Sequence, residues 1–493
     1  MADGLCGGRE DRRPSRRRQT RSGEPIRLPS GFGGIAGGTE MGRFGVTLLA
    51  ILLLGAGGVL FWRCEGEPPA LDAPESLVVG REVRELVVAA SDPGSGLREF
   101  GAELRQGEGE PVPLASEVYP GEILQGGIGP RVSLELPLSL DLRRSGLKEG
   151  EATLVLRARD WSWRGWLSGN EAVREVPVTV DLSPPRVLVE TGLSYVQRGG
   201  AGAVVYSIDE GTVRDGVDVA GHFYPGFPFP DEALGETAAR THGRRVALYA
   251  IERNAPADPS LQVVAEDAAG NETRASWPAR YRKRTFEDTR LPLSKNFLSG
   301  KVVSLADQLD IRENDPVVAF QQINEKVRAE NEQRIREIVS KGGGERHWRG
   351  AFAQLENSAV TSRFAEHRSY FVGDEKVSEA IHYGYDLAST AGAPITAANA
   401  GRVLFADDLG IYGRCVIVDH GLGLSSLYAH LSQIGVEPGD PVEKGAVLGR
   451  SGLTGLAGGD HLHFAILVGD SYVDPKEWWD PKWVREKVES QFE

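Results

Sequence analysis

The stretch GGDHLHFAILV, residues 458–468, places two histidines one residue apart at the head of an apolar run. Only nine histidines occur in 493 residues, so the pairing is not a consequence of composition. In a β-strand, residues i and i+2 project from one face. His461 and His463 therefore point the same way, and Leu462 and Phe464 enter a core on the other side. Two imidazoles held together repel when protonated. A cation bound to their neutral nitrogens removes that repulsion.

Six of the nine histidines fall between 367 and 463: His367, His382, His420, His430, His461 and His463. HYGYD, 382–386, supplies a second imidazole and a carboxylate four residues apart, which converge if Gly384 lets the chain turn. His382, Asp386 and one histidine of the pair make an N/N/O donor set. Three protein donors and one open position are the arrangement of a catalytic zinc, whereas structural zinc is closed by four. No cysteine belongs to the set. Cys6, Cys64 and Cys415 lie far apart, with no CxxC spacing, and no disulfide is expected.

HYGYDLA, YAHLS (428–432) and GDHLHFAI, in that order, with the glycine-rich VEPGDPVEKGAVLGRSGLTG (436–455) between the last two, resemble the lysostaphin/LytM-type zinc metallopeptidases that cut peptidoglycan. The resemblance covers about residues 355–476. It implies an antiparallel sheet with an open groove, and Zn2+ held by His382, Asp386 and His463. It also implies two catalytic histidines, His430 and His461, and peptidoglycan peptide stems as substrate. Ala465 departs from the family, which often carries an acidic residue there; that residue is not a ligand. No general base of the HExxH kind is present, so histidines must move the protons. Some relatives are non-catalytic regulators or activators of other wall hydrolases. That alternative predicts the same fold with cell-envelope regulatory partners. An adaptor with a biotinyl/lipoyl-like hairpin would account for PGDPVEKGAVLG but not for the histidines. Of the rest, His420 is expected to shape a turn, His367 to lie upstream of the site without a role, substrate contact being the alternative, Tyr428 to pack beside His430 and Cys415 to sit in a core strand.

Outward from this domain the chain reads as multidomain and mainly β. Residues 1–43 carry nine Arg against five acids, a basic and disordered cytoplasmic tail, which leaves −18 on the remainder. An acidic body argues against nucleic acid as partner. Residues 44–62, FGVTLLAILLLGAGGVLFW, hold no charge and span about 28 Å as a helix, a match for a bilayer core of ~30 Å. With arginines upstream, the rest of the chain is expected outside an inner membrane, held by one transmembrane helix. Residues 68–182 and 183–283 alternate apolar and polar between turns and read as two immunoglobulin-like β-sandwiches. LVLRARD followed by SGN, and LQVVAED followed by AGN, repeat one theme. DWSWRGW, with Trp161, Trp163 and Trp166, is suited to stacking sugars or to packing a loop. Residues 284–350 read as a helical linker with a capped helix at 315–341, 351–478 as the peptidase domain, and 479–493 as a tail.

Overall fold

The structure is a computed structural model that describes residues 40–121, 129–142, 146–230 and 243–492. The expected tail over 1–43 lies almost entirely outside the described residues. The helix Glu40–Arg63 follows it, and its apolar window Gly45–Arg63 is long enough to cross a membrane. Everything after it is mainly β.

The first sandwich packs a three-stranded sheet on a five-stranded one. Strict alternation explains the burial. In Glu171–Val180, Val176, Val178 and Val180 are buried between exposed Glu175, Pro177 and Thr179. The second sandwich pairs two four-stranded sheets. The repeated motif closes the same device in both. Asn170 donates its backbone N–H and side-chain amide to the two carboxylate oxygens of Asp160, at 2.7 and 2.8 Å. Asn271 does the same to Asp267, both at 2.9 Å. Each amide also reaches the segment that leads into its own sandwich: Asn170 the Glu65 carbonyl and Asn271 the Asp181 carbonyl. The motif therefore stiffens each domain entry, since buried charge-assisted bonds are short and strong.

The C-terminal domain is built on an eight-stranded sheet whose central strands are Leu462–Val468, Leu424–Leu431 and Arg414–Gly421. Nearly every residue in these three is buried, and the reason is that both faces are covered. Phe464, Ile466, Val468 and Tyr428 share a core with Tyr224, Phe229 and Val246 of the second sandwich. Ala465, Leu467, Leu427 and Ile417 share another with Val302, Phe320, Ile335 and Ile338 of the helical segment. The second sandwich is thus fused to the domain. Tyr224 Oη bonds Ser471 Oγ at 3.0 Å, and the Glu477 carboxylate accepts from Gln197 Nε2 and the Ala201 N–H at 2.7 and 2.9 Å.

Three local expectations need correction. The segment 284–350 is not helical throughout: Asp288–Pro292 is a strand, parallel to Glu366–Val372, ahead of the helices Val303–Gln308, Pro316–Gln322 and Arg328–Val339. The tail expected over 479–493 is no free tail as far as 492, because Val484, Val488 and Phe492 are buried in the core, with Phe492 against Trp348. His420 shapes no turn. It is a fully buried strand residue whose Nδ1 donates to the Ala400 carbonyl and whose Nε2 bonds Ser426 Oγ, both at 2.7 Å. Cys415 is a buried strand residue.

Two outcomes follow from this packing. A chain beginning at Gly350 loses the helices that cover Leu427, Ala465 and Leu467, and is expected to aggregate on size exclusion, whereas one beginning at Ser183 unfolds as a soluble, cooperative species. Burial pushes the His420 pKa down to about 4, below its unfolded value near ~6.5. The folded chain keeps this imidazole neutral, so its stability is full above pH ~6.5 and declines as pH falls toward 4. Urea unfolding at pH 7 and 5 should therefore differ by about 2 kcal/mol less in His420→Gln than in the parent chain.

Candidate metal centre

The pairing register brings the candidate residues together. His382 ends the strand Glu375–His382, and Asp386 sits directly opposite His463 in the antiparallel pair Tyr385–Ala388 with Leu462–Val468. Gly384 is required for proximity: a β-carbon there would lie 2.7 Å from His463 Cε1 and 2.6 Å from the Phe464 carbonyl. The expected freedom to turn is not its role. His430 needs a different device. Tyr428 and Leu431 enter the core shared with the second sandwich, while Ala429 faces the helices. Period-2 alternation would send His430 to the Tyr428 side. The pairing with Arg414–Gly421 slips between Arg414 and Val416, and His430 takes a left-handed φ of 64°. This bulge turns the imidazole toward His461, with ring centroids 4.8 Å apart.

His382 Nε2, Asp386 Oδ1 and His463 Nδ1 form a triangle with sides of 2.9, 2.9 and 3.0 Å. His382 Nδ1 lies 3.0 Å from the Arg363 carbonyl and must donate to it, so a neutral His382 presents a bare lone pair to the carboxylate and to His463. Acceptor facing acceptor at this distance is repulsive unless a cation lies between them. Ligands at about 2.0–2.1 Å from a tetrahedral zinc ion are roughly 3.3 Å apart, so the triangle fits such an ion with a small expansion. The donor chemistry fits as well, since imidazole nitrogens and a carboxylate suit zinc. Asp386 Oδ2 accepts from Arg368 Nη2 at 2.9 Å, which leaves Oδ1 for the centre. Arg368 is in turn held by Glu366 at 3.0 Å.

His461 and His430 stand beside this triangle with a shared polarity. His461 Nδ1 donates to the Gly459 carbonyl at 2.8 Å and His430 Nδ1 to the Thr454 carbonyl at 2.9 Å. In their neutral forms each keeps Nε2 as a free lone pair. His461 Nε2 lies 3.5 Å from Asp386 Oδ1. Burial, and then the neighbouring His461 and His463, hold His430 well below the usual imidazole range. Burial also lowers His461, but the Asp386 carboxylate outweighs it and raises that pKa. Burial brings His463 down to about 4, a neutral donor at neutral pH. Burial would raise Asp386, yet the imidazoles of His382, His461 and His463 keep it ionised, well below the carboxylate range.

All five side chains open on one cleft of about 420 Å³. Leu293, Phe297 and Arg328 of the helical segment line it, and Leu456–Gly458 lie opposite. Lys301 Nζ bonds the Leu453 carbonyl, tying the helical segment to that opposite loop. His367 does not join the cleft; it turns to Asp288 and Glu379. Tyr428 does not touch the centre either, and stacks edge-on against Phe464. Arg368 was not singled out from the sequence. The signal was the alternation Glu366, Arg368, Tyr370 in the strand leading toward His382, which puts a charged residue on the face of a buried carboxylate.

The model of peptidase family M23 matches residues 380–475, the span that holds all five side chains. Residues 380–475 are a family M23 peptidase domain. The M23 domain here is 37% identical over 95 residues to the DD-carboxypeptidase/endopeptidase Mpg of Neisseria meningitidis, covering 19% of this chain and 22% of that one. Stage II sporulation protein Q of Bacillus subtilis is 32% identical over 137 residues, 25% of this chain and 48% of its own. The chain therefore spans a fifth to a half of these relatives. The catalytic domain of lysostaphin from Staphylococcus simulans is 26% identical, with 27% of this chain and 98% of that chain covered, at a TM-score of 0.23.

The M23 domain is expected to bind one zinc ion per chain, read by elemental analysis after dialysis. Asp386→Ala and His463→Ala should each weaken zinc affinity at least 100-fold in a competition titration, because each removes one of three donors. Arg368→Met should weaken it about 10–100-fold, the range for an outer partner of a metal-binding carboxylate.

Proposed function

We propose that the chain is a membrane-anchored zinc endopeptidase that hydrolyses peptide cross-links of peptidoglycan outside the membrane crossed by Glu40–Arg63. The observation that carries this reading is the triangle of lone pairs at His382, Asp386 and His463, flanked by two histidines whose Nδ1 atoms are tied to backbone carbonyls so that Nε2 faces the centre. The name of the Neisseria relative, a carboxypeptidase and endopeptidase, supports the reaction class. The basic segment before the helix supports an orientation with the sandwiches and the peptidase domain outside.

His382 Nε2, Asp386 Oδ1 and His463 Nδ1 would hold the zinc ion. When bound, zinc supplies Lewis acidity to a peptide carbonyl and lowers the pKa of water toward ~7. His461 and His430 do the rest. Their free Nε2 atoms accept the proton of the attacking water and return it to the departing amine. While protonated, the imidazolium faces the charge that develops on the former carbonyl oxygen. The Gly459 and Thr454 carbonyls fix each ring in the tautomer this needs. Arg368 keeps the Asp386 carboxylate turned to the centre. Besides the five side chains, the cleft is lined by residues of the helical segment and of the loop 456–458, which offers a stem peptide contacts beyond the centre.

A second reading takes the domain as a non-catalytic regulator of another wall hydrolase. The bond from Lys301 to the Leu453 carbonyl, which ties the two walls of the cleft together, favours it. Digestion of defined cross-linked muropeptides separates the two. The endopeptidase reading expects cleavage by the full chain, a loss of at least 100-fold in kcat for His461→Ala and His430→Ala with zinc retained, and loss of both zinc and cleavage for His463→Ala. No cleavage by a zinc-loaded full chain, or full cleavage by all three variants, would sink it.

A further inference from the structure

The tryptophan-rich loop after Asp160 is bolted to the end of the N-terminal helix. The Trp163 N–H donates to the Arg63 carbonyl at 2.8 Å, and Ser162 Oγ donates to the same carbonyl at 3.3 Å. The Arg63 guanidinium lies over both the Trp62 and Trp163 rings, 5.5 and 5.4 Å from their centroids. Arg164 Nη1 reaches the Gly66 carbonyl at 3.2 Å. The loop thus sits at the level where the apolar window of the helix ends.

Its tip does the opposite of what a packed loop does. Trp161 is held against Gly121 and Gly129, where any added β-carbon would strike its ring, and lies under the Arg98 guanidinium. Trp166, by contrast, is 100% exposed and Leu167 is 42% exposed. Tryptophan is a highly buried residue on average. Gly165, Trp166 and Leu167 adopt φ of 61°, 57° and 71° in succession, a left-handed conformation that a β-carbon disfavours. The turn is closed by the Leu167 N–H to the Trp163 carbonyl at 3.2 Å, Ser168 Oγ to the Gly165 carbonyl at 2.6 Å, and Arg98 Nη1 to the Leu167 carbonyl at 3.0 Å. A strained turn, braced on three sides, presents a whole indole to the surroundings. Such strain persists where neighbouring structure over-determines it, often at sites of function.

We infer that residues 161–168 form a second membrane contact, with Trp166 seated at the headgroup level of the leaflet from which the helix emerges. This rests on the membrane-anchored reading. Phe61 and Trp62 of the helix, both exposed, lie at the same level, and an indole with an apolar body and a polar N–H is the side chain that bilayer interfaces favour. The exposed Arg164 sits beside it, able to meet lipid phosphate. Because the loop is bolted to the helix end, a loop contact with the leaflet would set the tilt of helix and first sandwich together. Two points of contact fix that tilt and therefore the direction in which the peptidase domain is presented.

The test uses the full chain with Cys6 and Cys64 replaced by serine, reconstituted in vesicles of phosphatidylethanolamine and phosphatidylglycerol. Cys415 is buried in the folded chain, out of reach of the label. A nitrobenzoxadiazole label is placed at Trp166→Cys, at Glu108→Cys in the turn at the opposite end of the same sandwich, or at Leu53→Cys inside the helix. All three positions are exposed in the protein, so the variants fold. Lipids carrying a shallow nitroxide are expected to quench the label at 166 at least threefold more than the label at 108. Quenching at 53 by lipids carrying a nitroxide deep in the acyl chain, with none at 166 by the shallow nitroxide above the level at 108, overturns the loop contact and leaves the anchor standing. Absence of quenching at 53 by the deep nitroxide removes the anchor and this inference together. Protection of the 166 label by added peptidoglycan, with no lipid quenching, assigns the loop to the wall and also overturns the proposal.

Discussion

Three lone pairs aimed at one point are the constraint around which the C-terminal half is organised. His382 Nε2, Asp386 Oδ1 and His463 Nδ1 cannot stand about 3 Å apart on electrostatic grounds without a cation or a shared proton among them. The chain still holds them there by rigid means. Each sits in a strand, each has its other polar atom tied or buried, and the approach is cleared by the missing β-carbon of Gly384. The fold spends packing energy to keep a repulsive arrangement assembled, which is what a site prepared for a cation requires.

That rigidity comes from covering both faces of the central sheet. The second sandwich closes one face and the helices between 297 and 340 close the other. The helical segment lies on the histidine face, so it continues past the core to form a wall of the cleft. Burial of Ala465 explains why no acidic residue stands beside the HxH pair in this chain. Its side chain meets the helices at 0% exposure, where an unpaired carboxylate would be costly.

The Asp–Asn closures give the remainder its mechanical logic. Asn170 grips the residues that leave the helix and Asn271 grips those that leave the first sandwich, while the Arg81 N–H returns a bond to Asn271 Oδ1 at 2.7 Å. Helix, first sandwich, second sandwich and peptidase domain are joined at each junction by bonds rather than by loose linkers. Such a chain transmits orientation from the N-terminal helix to the cleft.

Much of this was legible in residue patterns. Alternation over two marks strands, so HLHF puts both histidines on one face. An uncharged run of about twenty residues marks a helix sized for a bilayer, and a repeated strand–Asp–turn–Asn marks a closure used twice. These are local properties, set by backbone geometry and by the length of an apolar stretch, and a sequence carries them without help. Only tertiary structure decided the rest. His430 reaches the cleft because a bulge breaks the alternation that would have pointed it away. Arg368 matters because a strand eighteen residues before Asp386 lies against it. Val484, Val488, Phe492 and the second sandwich belong to the domain core because apolar faces distant in the chain had no other surface to cover. Each depends on which segments pair and in what register, and register is settled by the sum of long-range packing.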